Sequence, residues 1–501
     1  MLQTFRERLT LVLLALLPFH AFLVTVSTKL IAGKGHAPLA VLAVWKEGLL
    51  GVILLLMVVE LFTSRERVLR ISYSVLRTDA IDVLVLFLLL LGAVVTVFAH
   101  GDWKLAALGF KYDFLPIVGF FIARRVEWSQ RFQHAVVNVL LAVGALVAAY
   151  GILTVFLPTA FFQWLGYGPA HSLYFAAGPL AAFQQVSETA LRRVQSTMSG
   201  PNQLGLWMLI PFALLLSLVR ATRESSKEKR SLRLAALAQG RPLPPLVPSA
   251  VEGWRAVPSR WLLVVCMFLI VTVLFLSFSR SAWIAAVVMV FVKVSGSVPR
   301  HLLKRAMLGG ALIVMFLTVI VTLLFPSVFF RLSSSRGHLV RPLQAIGRMI
   351  SHPLGMGLGS AGPASNRVSE TCVFLRPQDD PGWAKTTPTL CVFLGTTQVQ
   401  PLDHVCRCPF LPENWYLQIG VEMGVVGFIL FVALTVFLLL RLARELKNSG
   451  TRELASVVFL AFLGISIAAL VLHSWEDSAV AVTVWLLAAV ALPLVQPKIT
   501  P

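Results

Sequence analysis

Runs of about 20 apolar residues recur along this chain, and each is long enough to cross a hydrocarbon layer of roughly 30 Å. "LTLVLLALLPFHAFLVTVSTKLI" comes first, and "FILFVALTVFLLL" is among the last. Hydrophobic residues make up 57% of the chain and charged residues only 13%. A water-soluble domain cannot hide that much apolar surface, because its own surface needs polar cover. The chain therefore reads as an all-α integral membrane protein. The first run, residues 9–31, is longer than a signal peptide and no small-residue cleavage pattern follows it, so it reads as a retained span.

Twelve spans are expected, at about 9–31, 39–62, 80–99, 105–123, 134–156, 203–219, 261–279, 282–297, 306–325, 416–440, 455–473 and 478–495. Short links after odd-numbered spans carry little positive charge ("AGKGHAP", "HGDWK", "HSWEDS"), whereas links after even-numbered spans are basic. Examples of the basic kind are Arg65 to Arg77, Arg124 to Arg131, Arg300 to Arg305 and Arg441 to Arg452. By the positive-inside rule both termini face the cytoplasm. The net charge of +20 is then mostly a topology signal, and no basic domain stands apart that would bind nucleic acid.

The chain divides into residues 1–325, with nine spans and a cytoplasmic basic, Pro-rich linker at 221–260; an extracytoplasmic loop domain at 326–412; and three more spans in 413–501. Four of the 5 cysteines, Cys372, Cys391, Cys406 and Cys408, fall in the large loop. An even number in an oxidising compartment predicts two disulfides. A bridge inside Cys406-Arg407-Cys408 would be strained, so cross-links from that pair to Cys372 and Cys391 are expected. A metal site is the alternative, although paired Cys-x-x-Cys spacing is missing.

Charged residues at the outer ends of spans are the candidate functional groups. "LSFSRSAW" places Arg280 in a tight turn among Ser277, Ser279 and Ser281. "LRRVQSTMSGPNQLG" puts Arg192 and Arg193 before a helix start at Pro201-Asn202, a suitable anion cradle. The large loop adds Arg331, Arg336, Arg341 and Arg348, followed by the Gly-rich "PLGMGLGSAG". Each feature alone also reads as a snorkelling arginine or a solvated, capped turn. Together, guanidiniums from three segments form a planar, permanently charged donor set suited to a diphosphate.

These pieces resemble the bacterial O-antigen ligases and related O-antigen polymerases, from about Arg193 to Gly427. The ligases carry His-Asn, nine residues, Gly, two residues, Gly; Asn414, Gly424 and Gly427 match that spacing, and Glu413 stands where the family has histidine. The resemblance implies transfer of a glycan from an undecaprenyl (polyprenyl) diphosphate carrier to a glycan or glycolipid acceptor hydroxyl, in contact with membrane lipids at the outer face of a bacterial inner membrane. It implies no cofactor, and no Asp-x-Asp cluster suited to a divalent metal lies near the arginines. Glu413, Arg280 and Arg193 are the implied catalytic residues. Arg192, Asn202, Arg336, Arg341, Arg348 and Asn414 are the implied substrate-binding residues. Chain polymerisation is the alternative reaction, and a lipid-linked glycan flippase or an envelope scaffold the alternatives of other classes.

Glu413-Asn414 also reads as a helix cap favoured by the helix dipole. Lys46 and Glu47 point about 100° apart on a helix and need not bond each other; with Lys111, Tyr112 and Asp113 they read as structural. His473, Glu476 and Asp477 read as solvated, and His338, His352 and His404 as polar surface, with His338 the best replacement for the family histidine.

Overall fold

The computed structural model describes residues 1–63, 78–99, 102–168, 178–185, 191–218, 260–295, 332–388, 390–447 and 452–494. The span expected at 306–325, Arg331 and most of the linker at 221–260 lie outside these residues, as do the side chains of Arg336 and His338. Helix dominates. The order is α1 (Leu2–Leu16), α2 (His20–Ala32), α3 (Ala40–Ala43), α4 (Trp45–Thr63), α5 (Ala80–Phe98), α6 (Trp103–Asp113), α7 (Leu115–Ala123), α8 (Gln130–Phe156) and α9 (Thr159–Trp164). The two-residue strands β1 (Gln184–Gln185) and β2 (Arg192–Arg193) follow, then α10 (Pro201–Leu218), α11 (Arg260–Leu276), α12 (Arg280–Ser295), α13 (Leu332–Ser351) and α14 (Gly362–Val368). Strands β3 (Cys372–Leu375), β4 (Cys391–Leu394) and β5 (Thr397–Gln400) precede α15 (Trp415–Glu445), α16 (Arg452–Ala468) and α17 (Ser478–Ala491).

Five of these helical stretches are long and apolar enough to cross a membrane: Leu2–Ala32, Ala80–Phe98, Gln130–Phe156, Pro201–Leu218 and Trp415–Glu445. The pair α6–α7, bent by 48°, makes a sixth if it counts as one span. The bend falls where Pro116 enters the first turn of α7 and cannot donate a backbone hydrogen bond. Three further helices, Trp261–Leu276, Glu453–Ala468 and Ser478–Ala491, are apolar but shorter.

Burial sorts the helices. Every residue of α17 from Ala479 to Ala491 is buried, and most of α10 is too, so these two occupy the centre. Around them α12 packs on α16, α5 on α15, α7 on α17, α8 on α11 and α1 on α4. The outer helices expose apolar stripes, such as Val83, Leu86, Phe87, Leu90, Val94 and Val97 on α5. Such stripes suit lipid and would be a liability in water.

One end of the bundle is tied by buried ion pairs. Arg6 bonds Glu60 at 2.8 Å. Arg124 bridges Asp79 at 2.6 Å and Asp82 at 2.8 Å, and Arg125 reaches Asp82 at 2.9 Å. Arg124 and Arg125 therefore do more than mark topology: they clamp α5 to α7, and Arg124 also holds the carbonyl of Leu492 at 2.9 Å. His20 and Lys46 lie about 21 Å along α1–α2 and α4 from Arg6 and Glu60, which marks the opposite, site-bearing end.

The cysteine-rich segment folds as a three-stranded sheet, with β3 parallel to β4 and β5 antiparallel to it. Cys372 and Cys391 are register partners, and each is tied to the tripeptide at 406–408, through Cys372–Cys408 and Cys391–Cys406. The cross-links fall as expected from sequence. Among the described residues the apolar cluster under this sheet is small, with Ala384, Leu390 and Val392 at its centre, so covalent ties supplement apolar burial.

Candidate functional site

The sequence from Glu413 to Gly427 is built around two backbone events. Asn414 is the N-cap of α15: its Oδ1 accepts from the Leu417 N–H at 3.0 Å and its Nδ2 donates to the carbonyl of Leu470 at 2.8 Å. Ten residues on, Gly424 leaves helical geometry at φ 73°, and α15 kinks there. A kink frees carbonyls that the helix would otherwise pair. The Gly-rich loop takes them up: Met356 N–H donates to Val421 O at 2.9 Å and Gly357 N–H to Glu422 O at 3.0 Å, while Val425 N–H donates to Pro353 O at 3.1 Å. Contact is backbone to backbone, since a Cβ on Gly424 would lie 2.1 Å from Pro353 O and one on Gly355 2.4 Å from Glu422 O. The cap-to-glycine spacing is thus a folding device that docks the loop onto α15.

Glu413 does not cap the helix. It sits one residue earlier at φ 54°, a conformation non-glycine residues seldom adopt. Its carboxylate pairs with Arg341 of α13. Its N–H donates to His473 Nε2 at 3.1 Å, which leaves Nδ1 as the protonated nitrogen, donating to Gln418 Oε1 at 2.7 Å. Gln418 Nε2 in turn donates to Asp113 Oδ1 at 3.2 Å. Asp113 lies against the Glu422 carboxyl, and Glu422 Oε1 accepts from the Ala361 N–H at 3.3 Å. Gly362 presses on the Gln418 amide so closely that a Cβ would lie 2.3 Å from it.

This network overturns one expectation. His473 is not a solvated turn residue. It is half-buried, and burial pushes its imidazole down from 6.5 to about 4, with the Glu413 charge opposing that shift and Arg341 adding to it. Glu476 and Asp477 are half-buried as well, and Asp477 caps α17 through the N–H groups of Ala479 at 2.9 Å and Val480 at 3.2 Å. Lys46 and Glu47, about 100° apart on the helix, nonetheless bond at 3.1 Å, and the Glu47 carboxylate also pairs with Lys111 at 2.8 Å, so the three hold a structural ion-pair cluster. Lys46 also meets His20 Nε2 at 3.1 Å.

The second group of predicted residues assembles around the turn between α11 and α12. Arg193 is buried; its Nε donates to Ser277 O at 3.0 Å and its Nη2 to Asn202 Oδ1 at 2.7 Å. Arg280 is half-buried and opens α12. Ser277, Ser279 and Ser281 are buried around the turn, which α10 approaches closely at Gly205: a Cβ there would lie 2.9 Å from Ser279 Cβ. Phe278 within this turn and Ser196 just after Arg193 also have positive φ, 49° and 51°. Arg192 alternates to the other side of β2, exposed, over the Phe183 ring at 4.8 Å and bonded to Thr159 Oγ1 at 3.1 Å.

Both groups lie at the same end of the bundle. Lys293, near the end of α12, bonds Ser456 near the start of α16 at 2.8 Å, and Ser217, near the end of α10, meets Ser456 at 3.1 Å. The starts of α10 and α12 therefore lie toward the far end of α16, where Ala469 O accepts from the Trp415 N–H at 2.9 Å. Of the remaining predicted arginines, Arg341 and Arg348 come to one side of α13, and Arg348 stacks over Phe410 at 3.6 Å. Arg336 has its side chain outside the described residues. In the sheet, Glu370, Cys391, His404 and Cys406 offer donor atoms within 4.8 Å of one another, but both sulfurs are spent in the disulfide, leaving His404 paired with Glu370 at 2.7 Å.

No protein-family model matches the chain, and no curated protein sequence is significantly similar to it.

Proposed function

We propose that this chain is a twelve-span membrane glycosyltransferase of the O-antigen ligase kind. It moves a glycan from a polyprenyl diphosphate to an acceptor hydroxyl at the extracytoplasmic face. The observation that carries the reading is where backbone strain is stored. Among the described residues three non-glycine positions have positive φ, namely Ser196, Phe278 and Glu413. Each falls in one of the three short segments that supply Arg193, Arg280 and Glu413. Strain of this kind costs about 1–3 kcal/mol per residue and gathers where a fold must aim a group at a ligand.

In the proposed reaction the bond between the sugar's anomeric carbon and the diphosphate oxygen breaks, and a bond to the acceptor oxygen forms. The acceptor's proton passes to the Glu413 carboxylate, and polyprenyl diphosphate leaves. Arg193 and Arg280 stabilise the charge that builds on the leaving oxygen. A carboxylate beside a diphosphate would be repelled; Arg341, paired to Glu413, offsets that repulsion and lets base and leaving group share one pocket. Asn202 orients Arg193 rather than touching the sugar, and Asn414 holds α15 so that Glu413 projects from its start.

Transfer is tested with purified protein in lipid nanodiscs, a labelled polyprenyl-diphosphate glycan and candidate acceptors. Glu413→Gln is expected to slow transfer by about 10²–10⁴-fold with the fold intact, the range for loss of a general base. Arg280→Lys is expected to lose rate while retaining donor binding. Full activity in both variants overturns the reading, as does wild-type protein that transfers to no acceptor while still binding the donor.

A further inference from the structure

Helix α13 has three faces. Ala345 and Met349 pack against α15, with Met349 Sδ 2.6 Å from where a Cβ on Gly420 would stand. Arg341 and Arg348, seven residues apart, lie about 20° from each other and roughly opposite the third face. That third face is Leu339, Leu343, Ile346 and Ile350, within an arc of about 60°, and it continues to Leu354 just past the helix end. These side chains are 67%, 60%, 37%, 69% and 79% exposed. Five large aliphatics in one continuous exposed stripe are far more than a water-facing helix carries.

The stripe leads somewhere. Pro353 O accepts from Val425 N–H, so Leu354 stands beside the point where α15 begins to expose its own apolar residues: Val425 at 36%, Val426 at 53% and Ile429 at 57%. Before Gly424 every residue of α15 is enclosed by protein; after it the helix shows an apolar face outward. The stripe of α13 and the outward face of α15 thus meet at the kink, where Pro353 and Leu354 adjoin Gly424 and Val425.

We propose that α13 is an interfacial helix: its aliphatic stripe sits on the acyl chains of the bilayer leaflet at the site-bearing end, and its arginine face lies level with the phosphate headgroups. The occupant is bilayer lipid because the stripe meets the outward apolar face of a membrane-length helix. The helix's own charge pattern agrees. From Leu332 to Ser351 it carries arginines and no acidic residue, the composition of helices that lie in the plane of an anionic interface. Its position also seats Arg341, and through it Glu413, at headgroup depth. The inference rests on the membrane assignment alone and stands apart from the glycosyl-transfer reading.

The test uses the full chain carrying Cys266→Ser, with both disulfides intact, reconstituted in phospholipid vesicles. Single cysteines at Leu343, Ile350 and Leu354, and at exposed Gln344 on another face as reference, are nitroxide-labelled for power-saturation EPR. Oxygen, enriched in hydrocarbon, is expected to relax the first three labels several-fold more effectively than a water-soluble nickel chelate does, with the order reversed at Gln344. Labels on the stripe as open to the chelate as Gln344 overturn the proposal by placing the face in water. Labels shielded from both agents overturn it by showing protein on that face, a second copy of the chain included. Three positions on one face keep the result readable if a single substitution impairs folding.

Discussion

His473 is held by two directed hydrogen bonds and one charge balance, and its chemistry follows from them. An unfolded histidine titrates near 6.5, whereas this one does so near 4. As pH falls below about 6.5 the unfolded chain gains a proton that the folded chain refuses, so stability should decline between about pH 6.5 and about pH 4 and level off below. Melting curves in detergent across that window check this. His473→Gln, which keeps an acceptor for the Glu413 N–H, should remove the histidine's part of the slope. A second outcome concerns the cap: Asn414→Ala should cost about 1 kcal/mol from capping alone, and more if the bond to Leu470 O is also felt. Sequence reading singled out Glu413, Asn414, Arg193 and Arg280, because charges and amides at span ends stand out. It passed over His473 and Gln418. A histidine in a short polar turn looks solvated, and a glutamine four residues into an apolar helix carries no charge to draw attention.

The Gly-rich loop and the kinked start of α15 form a single clasp, and their glycines are fixed by contact. Gly359 at φ 81° would place a Cβ 2.3 Å from Leu105 O, and Gly424 at φ 73° would place one 2.1 Å from Pro353 O. Gly359→Ala and Gly424→Ala should each destabilise by about 3 kcal/mol or more, since both the backbone conformation and the space are refused. Gly48→Ala, helical and with nothing within 4 Å, should stay within about 0.5 kcal/mol and serves as the control. Thermal melts of the three variants decide it. The disulfide sheet gives a separate outcome. Replacing either cysteine pair by serine should cost about 2–4 kcal/mol, seen as proteolytic cleavage within 370–408 while the helical bundle keeps its melting temperature. The sequence named the loop as Gly-rich without a purpose. The purpose depends on a kink in a helix more than sixty residues away.

Taken whole, the bundle is pinned at one end by buried arginine–aspartate pairs and opens at the other into a strained, polar site. Asp82→Ala should destabilise by about 3–5 kcal/mol, because it leaves Arg124 and Arg125 buried without the carboxylate that joins them. Asp82→Asn should recover part of that loss by restoring a hydrogen-bond acceptor. At the other end the same buried-polar logic runs through the neutral His473 and Gln418, from the Glu413 N–H to the Asp113 carboxyl. A substitution at Asp113 should therefore alter the Glu413 environment without touching it, read as a shift in the His473 ring signals by NMR.

Many helix positions were legible because they follow from a local quantity: an apolar run long enough for hydrocarbon forms helix wherever it lies, and five or six of the described helices have membrane length at expected intervals. The convergence of Cys372 and Cys391 on the tripeptide at 406–408 was legible for a similar reason, since short spacing leaves few unstrained pairings. Which polar groups meet was not. Gln418 and Asp113 are 305 positions apart, and their hydrogen bond exists only because α14 packs beside α6 and its first residue, Gly362, has no Cβ to push the Gln418 amide away. Hydrogen bonds reach about 3 Å, so their partners are chosen by packing, which no run of residues records.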